Sequence, residues 1–155
     1  MKKKIGIHWF RNDLRTIDNP SLNHLSRNYD NVLGVYIYDE VNIDPKLGSA
    51  SKVWLNYSLK YLKKQLNGNL IILKGNPKEC LNELIDFFDV QEISWNRCYE
   101  PWIINRDKSL KIYLNEKIKV NSFNGSLLWE PWEILKNDGT PYKVFTPFYK
   151  RGCLS

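Results

Sequence analysis

The segment that most constrains the fold is residues 5–20, where a short β-branched run gives way abruptly to a charged loop. The run has the composition of a buried strand, and Arg11 and Asp13 follow it directly. Asn19 and Pro20 then form a helix entry, because Asn can cap free amides and Pro at the first helical position loses no needed donor. A strand, a polar loop and a helix in this order are typical of the start of an open α/β sheet. We therefore expect the loop at the carboxyl end of the strands, where such sheets bind ligands.

The rest of the chain repeats this alternation of strands and helices with short connections. We predict further strands at 32–38, 70–74, 90–95 and 118–123, and helices at 19–28, 49–66, 77–88 and 102–117. Five alternating strands predict a parallel sheet with right-handed crossovers, although periodicity does not give the strand order. Residues 44–48 are predicted as loop. The expected organisation is a sheet domain over 1–125 and an aromatic, Pro-rich segment over 126–155.

Composition narrows the class of protein. A chain of 155 residues with 43% hydrophobic residues suits one domain with a real core. The net charge of +6 is compatible with a nucleic-acid partner. No run approaches the roughly 18 to 20 apolar residues of a membrane span, and the basic start at 1–4 lacks the apolar run of a signal peptide. Three cysteines and two histidines without metal-ligand spacing predict no metal site and a reduced, cytoplasmic chain.

Known catalytic motifs are missing from the sequence. It contains no G-x-G-x-x-G after the first strand, no P-loop, no nucleophile elbow and no evident acid/base carboxylate pair. Gly75-Asn76-Pro77 offers free amides at a helix start, and we interpret it as a plain helix cap in preference to an anion site. We expect the 155-residue chain to have no catalytic residues and no activity by itself.

Four segments in the same order carry a resemblance to a known family. They are WFRNDLR at 9–15 with DNPSL at 18–22, GSASKVWL at 48–55, WNRCYEPW at 95–102 and PYKVFTPF at 141–148. The chain resembles the N-terminal α/β domain of the DNA photolyase and cryptochrome family, and photolyases are favoured because they are the commoner members. The resemblance implies a Rossmann-like, doubly wound sheet in the order 3-2-1-4-5, with helices on both faces.

That order places a ligand crevice between residues 9–11 and 95–97. In the family this domain is a light-harvesting module that holds a folate, deazaflavin or flavin chromophore. The chromophore passes excitation to FAD in a helical C-terminal domain, which repairs pyrimidine dimers in damaged DNA. The FAD-binding helical domain is expected to be absent from this chain, which would make the chain part of a longer enzyme.

The resemblance also implies positions for the light-harvesting, or antenna, chromophore. The candidate binding residues are Phe10, Arg11, Tyr36, Tyr38, Asp39, Lys52, Asn96, Cys98 and Glu100. Two departures from the family pattern leave the chromophore's identity open. Cys98 stands where deazaflavin-binding members have an acidic residue, and 101–103 stands where folate-binding members have an Asn-Glu pair. Trp102 could even fill the pocket.

Several of these residues also have a purely structural interpretation. Arg11, Asp13 and Arg15 can form a local ion-pair cluster that fixes the loop. The three tryptophans Trp9, Trp54 and Trp95 are expected in the core. Cys98 is expected to be an inert thiol, and Glu100 can simply favour a helix N-terminus.

Two other functions compete with the photolyase hypothesis. One is a cryptochrome-like blue-light photoreceptor domain whose aromatic C-terminal segment contacts a partner. The other is a stand-alone nucleotide-binding α/β module of the universal-stress-protein type, which would bind ATP or AMP by itself.

Overall fold

A computed structural model describes residues 4–42 and 46–154. Five strands form one parallel sheet in the order β3-β2-β1-β4-β5, as the resemblance implied. The strands are β1 Ile5–Phe10, β2 Asn31–Tyr38, β3 Leu70–Lys74, β4 Val90–Asn96 and β5 Lys119–Phe123. The helices between them are α1 Pro20–Asn28, α2 Ser49–Gln65, α3 Pro77–Phe88 and α4 Pro101–Asn115. The predicted loop at 44–48 lies partly outside the described residues.

Side chains alternate between two cores on the opposite faces of the sheet. On one face Ile7 and Trp9 of β1 pack with Leu81 of α3 and Leu114 of α4. On the other face Phe10 packs with the buried leucines of α2, including Leu62. Because successive strand residues point to opposite faces, helices cover both sides of the sheet, as predicted.

Helix entries follow the predicted capping pattern. The Asn19 side chain accepts a hydrogen bond from the Leu22 amide at 3.1 Å, and α1 begins at Pro20. Asn76 accepts from the Lys78 amide at 2.9 Å at the start of α3. Both caps satisfy amides that a helix start leaves without partners. Gly75-Asn76-Pro77 is therefore a helix cap, as interpreted from the sequence.

Helix α2 differs from its prediction on one side. Leu55, Leu59 and Leu62 pack toward the sheet as their spacing indicates. Val53 and Trp54 are instead exposed, and Trp54 has 76% of its surface open. At about 100° per residue, both positions lie well off the inward stripe of leucines. The expectation that Trp54 is a core residue is wrong, whereas Trp9 and Trp95 are buried with their rings 5.5 Å apart.

A buried carboxylate ties α1 to the amino-terminal half of β4. Glu92 is fully buried and accepts hydrogen bonds from His24, Tyr29 and Asn121 at 2.8–2.9 Å, while the Lys119 ammonium lies 3.1 Å away. Burial alone would raise the pKa of Glu92, but these hydrogen bonds outweigh it and hold the pKa below its ordinary value. The cluster is fully partnered and stabilises the fold.

The chain divides into two compact units, Met1–Gly125 and Ser126–Ser155. The second unit contains short helical pieces, α5 Phe145–Pro147 and a π-helical segment Phe148–Cys153. Within it, a Cβ on Gly152 would come within 2.4 Å of the Ile134 side chain, so any other residue there would require Ile134 to move. No helix in the described parts of the chain is both long enough and apolar enough to cross a membrane.

Candidate functional site

The loop after β1 is held in place by hydrogen bonds to distant elements. The Arg11 amide donates to Asp13 Oδ1 at 3.1 Å, while the Arg11 guanidinium pairs with Asp107 of α4 and donates to the Asn96 carbonyl. Arg15 donates to the Asp18 carbonyl at 2.9 Å. The three charged residues fix the loop, but the expected local ion-pair cluster is wrong: Arg11 takes its counter-charge from α4, and Arg15 donates to a backbone carbonyl.

Asn96 at the end of β4 connects the loop to α1. Its Nδ2 donates to Asp13 Oδ2 at 2.5 Å and to Asn19 Oδ1 at 2.8 Å. Its Oδ1 accepts from the Ser21 amide at 3.2 Å. Asn96 is 3% exposed, so these bonds use its whole side chain inside the protein. The side chain spans the junction of β1 and β4 and helps to close it.

A chain of ion pairs continues from this junction toward β2. Asp107 pairs with Arg11 and with Arg106, and Arg106 reaches Asp39 at the end of β2 at 3.1 Å. The guanidinium carbons of both arginines lie 5.1–5.2 Å from the centre of the Trp9 ring. The crevice predicted between residues 9–11 and 95–97 is therefore largely occupied by the protein's own charged side chains.

Two buried donors in this region stand apart from the network. Within the described parts of the chain, Trp9 Nε1 and Arg11 Nε have no hydrogen-bond partner. A buried donor without a partner costs free energy, so each marks a place where an acceptor could be accommodated.

Below the loop, a neutral histidine forms part of a buried hydrogen-bonded chain. The His8 ring lies 2.9 Å from Ser21 Oγ through Nδ1, and Ser21 Oγ lies 2.7 Å from Ser94 Oγ. Asn19 Nδ2 lies 3.2 Å from His8 Nε2, which assigns Nε2 as the acceptor and Nδ1 as the protonated nitrogen. Burial lowers the pKa of His8 to about 4.

An open groove lies between α2 and the strands β2 and β3. It has a volume of about 480 Å³. Tyr36, Tyr38 and Ile72 contribute its sheet side, and Leu55 and Leu59 contribute its helix side. Pockets for planar organic ligands fall in this size range and are mostly apolar with a few polar groups at the edge. The groove lies wholly within the first unit.

The edge of the groove is rich in positive charge. Lys52, Lys60, Lys63 and Lys74 line it, and Glu40 is the one carboxylate that the described residues contribute. Lys74 and Glu40 are 2.7 Å apart, and the hydrogen bond from Lys74 lowers the pKa of Glu40. Since that pair neutralises itself, three ammonium groups remain to attract an anion.

The structure thus separates the nine candidate residues into groups. Tyr36, Tyr38 and Lys52 line the groove. Arg11, Asp39 and Asn96 belong to the buried polar network. Phe10 is fully buried in the core beneath them.

Cys98 and Glu100 lie apart from the groove, in the connection from β4 to α4. Cys98 is half-buried, and burial raises the pKa of its thiol, which keeps it protonated as an inert thiol should be. Glu100 occupies the position before α4 without capping it through its side chain. Trp102 is 39% exposed and faces Arg106, whose guanidinium carbon lies 5.4 Å from its ring centre.

Sequence reasoning missed the two residues that close the crevice, Arg106 and Asp107. They are adjacent in the predicted fourth helix, and nothing in their spacing separates them from ordinary surface charges. Arg11 and Asp39 directly follow buried strands, and buried charges require partners of opposite sign. That requirement is the signal that could have led to Arg106 and Asp107. α4 begins at that end of the sheet and carries both signs of charge.

Comparison with protein-family models matches residues 6–155 to the family described as DNA photolyase. A deoxyribodipyrimidine photo-lyase of Agrobacterium fabrum is 37% identical over 93% of this chain and 30% of its own length. Cryptochrome-2 of Arabidopsis thaliana is 36% identical over 99% of this chain and 26% of its own length. The chain therefore spans about a third or less of these relatives.

Solved structures agree with the sequence matches. A bacterial class III photolyase from Agrobacterium tumefaciens superposes with a TM-score of 0.88 at 35% identity, over 97% of this chain and 32% of that one. An archaeal photolyase from Sulfolobus tokodaii, described with two FAD molecules and a novel light-harvesting cofactor, has a TM-score of 0.77 at 22% identity. The second likeness supports the fold alone.

Proposed function

Because the chain belongs to the DNA photolyase family and has the fold of its N-terminal domain, we propose that it binds a light-harvesting chromophore in the α2 groove. The observation that carries the proposal is that Tyr36, Tyr38 and Lys52, three of the predicted chromophore contacts, line one open groove. When bound, the chromophore would absorb light and pass its excitation onward. The protein's own residues would hold and orient it.

The shape of the groove suits a flat aromatic ring system. Tyr36 and Tyr38 are half-buried, with their rings directed into a space bounded by Leu55, Leu59 and Ile72. Aromatic rings bind planar ligands through stacking and edge contacts worth about 0.5–1.5 kcal/mol beyond simple burial. Burial raises the pKa of the Tyr36 hydroxyl, so it stays protonated and able to donate a hydrogen bond.

The charge of the groove suits a ligand with an anionic tail. Lys52, Lys60 and Lys63 supply three ammonium groups along one side, and Glu40 is already paired with Lys74. A flavin phosphate or the glutamate tail of a folate would each meet these cations. A neutral flavin without its phosphate should therefore bind more weakly than FMN.

A specific observation favours a second location, the crevice between β1 and β4. Trp9 Nε1 and Arg11 Nε are buried donors without partners in the described parts of the chain, and a ligand oxygen could accept from them. Arg11, Asn96, Cys98 and Glu100 would then take part in binding. Occupation of this crevice would require the Arg11–Asp107 pair to rearrange.

An absorption titration tests the proposal and separates the two locations. The 155-residue chain is titrated with methenyltetrahydrofolate, a deazaflavin and FMN, and a red-shifted, saturable band identifies the ligand. If the groove holds it, Tyr38→Ala weakens binding and Asn96→Ala does not. The reverse result would move the site to the crevice, and three flat titrations would refute chromophore binding by this chain.

We propose light-driven repair of pyrimidine dimers in damaged DNA for a protein of the relatives' full length. FAD and the dimer would be held by the part of such a protein that this chain does not span, since the chain covers 30% of its photolyase relative. A cryptochrome-like photoreceptor is the alternative, since a cryptochrome is nearly as similar as a photolyase. A repair assay on the full-length product decides between them: dimer loss under blue light supports the photolyase, and its absence supports the photoreceptor.

A further inference from the structure

Helix α2 carries a row of exposed aromatic rings on the side that faces away from the sheet. Trp54 is 76% exposed, and Tyr57 and Tyr61 are each 64% exposed. At about 100° per residue, the three positions fall within a sector of about 60° on the helix surface. They lie on the far side of the helix from Leu59 and Leu62, which are buried. We call these three residues the aromatic ridge.

The same helix concentrates positive charge beside the ridge. α2 contains Lys52, Lys60, Lys63 and Lys64 and no acidic residue, whereas the whole chain has a net charge of +6. Lys60 and Lys64 lie between the ridge and the groove on the helix surface. The Lys60 ammonium is 5.6 Å from the centre of the Tyr57 ring. A row of cations thus runs alongside a row of rings.

We propose that the aromatic ridge and its two neighbouring lysines bind single-stranded nucleic acid. Bases would stack on Trp54, Tyr57 and Tyr61, while Lys60 and Lys64 hold the phosphates. Proteins that bind single strands combine these two features, since every base has a flat face and every nucleotide carries a negative charge. The rings of the ridge do not line the groove, and Lys60 is the one residue that the two sites share, so this function goes beyond chromophore binding and does not depend on it.

The charges and the rings together favour this occupant over three others. A second copy of the chain would place two helices of charge +4 against each other, which is unfavourable. An acidic protein would satisfy the lysines but would not require three separately exposed rings. Double-stranded DNA keeps its base faces stacked inside the helix, so it would meet the lysines alone.

Fluorescence anisotropy with a labelled oligothymidine tests the proposal. The 155-residue chain should bind the oligonucleotide saturably at 50 mM salt. Neutralisation of two phosphates predicts a loss of about sevenfold in affinity at 200 mM salt. Trp54→Ala should weaken binding by about fivefold or more, since it removes one stacking contact. Lys64→Gln should reduce the salt dependence.

The chain offers matched controls at equally exposed sites. Phe87→Ala on α3 removes a ring that is 80% exposed, and Lys108→Gln on α4 removes an exposed charge, and neither should change binding. No saturable binding at 50 mM salt would overturn the proposal, as would equal effects of Trp54→Ala and Phe87→Ala. Equal affinity for duplex and single strand would exclude stacking.

A further measurement separates the proposal from self-association and from the chromophore site. If sedimentation shows a dimer that Trp54→Ala converts to a monomer, the ridge is an interface between copies and the proposal is refuted. Trp54→Ala should leave FMN titrations unchanged, because Trp54 does not line the groove. Failure of chromophore binding would therefore leave this result intact, and the reverse also holds.

Discussion

Two places at the carboxyl ends of the strands could accept a ligand, and they differ in whether the protein's own side chains fill them. At the junction of β1 and β4, Arg11, Asp107, Arg106 and Asp39 form a chain of buried or half-buried ion pairs across the crevice. Beside β2, the α2 groove is left open, with an apolar floor and three lysines for which the described residues supply no ion-pair partner. The first place is occupied by the protein's own charged side chains, whereas the second remains open to an anionic ligand.

The difference shows that the strand order predicts where a crevice lies but does not predict whether that crevice is open to a ligand. Parallel strands diverge at such a point and leave room there. In this chain that room serves to hold α4 against β1 and β2, because buried charges must be paired wherever they lie. The groove makes no comparable contribution to stability, so it is the region where substitutions can change binding while the fold persists.

The largest expected effect is on the ion-pair chain. Asp107→Ala removes the shared partner of Arg11 and Arg106 and leaves a buried guanidinium without a counter-charge. We expect a loss of about 3–5 kcal/mol in the free energy of unfolding, measured by urea denaturation. Asp86→Ala, at an exposed position of α3, should cost less than about 0.5 kcal/mol. A similar small loss for Asp107→Ala would show that the network is dispensable.

The second effect is a loss of stability in acid caused by His8. Its folded pKa of about 4 lies below the ordinary histidine pKa of 6.5, so the unfolded chain binds a proton first as pH falls. This contribution is complete above pH 6.5 and should fall by on the order of 2–3 kcal/mol by pH 4.5.

NMR titration of the two histidine rings measures the pKa of His8, and His24→Gln assigns the two signals. Stability that is flat between pH 6.5 and 4.5 would contradict the prediction.

Glu92 adds a further loss at lower pH, because its folded pKa lies below the ordinary value of a glutamate and its stabilisation disappears as it protonates. Unfolding curves recorded with Glu92→Gln would isolate that part.

A smaller effect is expected in the groove. Tyr38→Ala should weaken FMN binding about tenfold, because it removes one ring from the wall. Stability should change by less than about 1 kcal/mol, since the ring is only half-buried. Tyr61→Ala is the matched control on the opposite side of α2 and should leave FMN binding unchanged. Equal losses in both variants would show that the groove is not the site.

The smallest effect concerns the lysines. Lys52→Gln should reduce FMN affinity about two- to threefold at low salt and by less at high salt, because an exposed ammonium contributes under about 1 kcal/mol. Lys108→Gln provides the comparison. If riboflavin and FMN bind equally well to the unaltered chain, the anionic tail makes no contribution and the role of the lysines is refuted.

Most of the fold could be predicted because local patterns and topology agree. The β-branched runs, the Asn-Pro helix entries and the helical spacing of leucines each specify one element, and short connections leave few ways to join them. The predicted end of α4 at 117 differs from the observed Asn115, since helix ends depend on contacts that the local pattern does not contain.

The candidate site was harder to predict for physical reasons. The family resemblance identified Tyr36, Tyr38 and Lys52, which do lie together. It did not reveal that Arg11 pairs with a residue 96 positions away, because long-range pairing leaves no trace in local composition. Trp54 was expected in the core because tryptophan is usually buried, although the spacing of the leucines in α2 already places it off the buried stripe.

The central position of β1 has a consequence for synthesis on the ribosome. β1 emerges first, yet one of its edges pairs with β4, which ends at Asn96. After β2 has emerged at Tyr38, a further 58 residues (96 minus 38) must be translated, which takes about 3–12 s at 5–20 residues per second. During that time the backbone groups of the β1 edge that will pair with β4 are open to wrong partners. The nascent chain should therefore engage a chaperone in this interval and release it once β4 has joined the sheet.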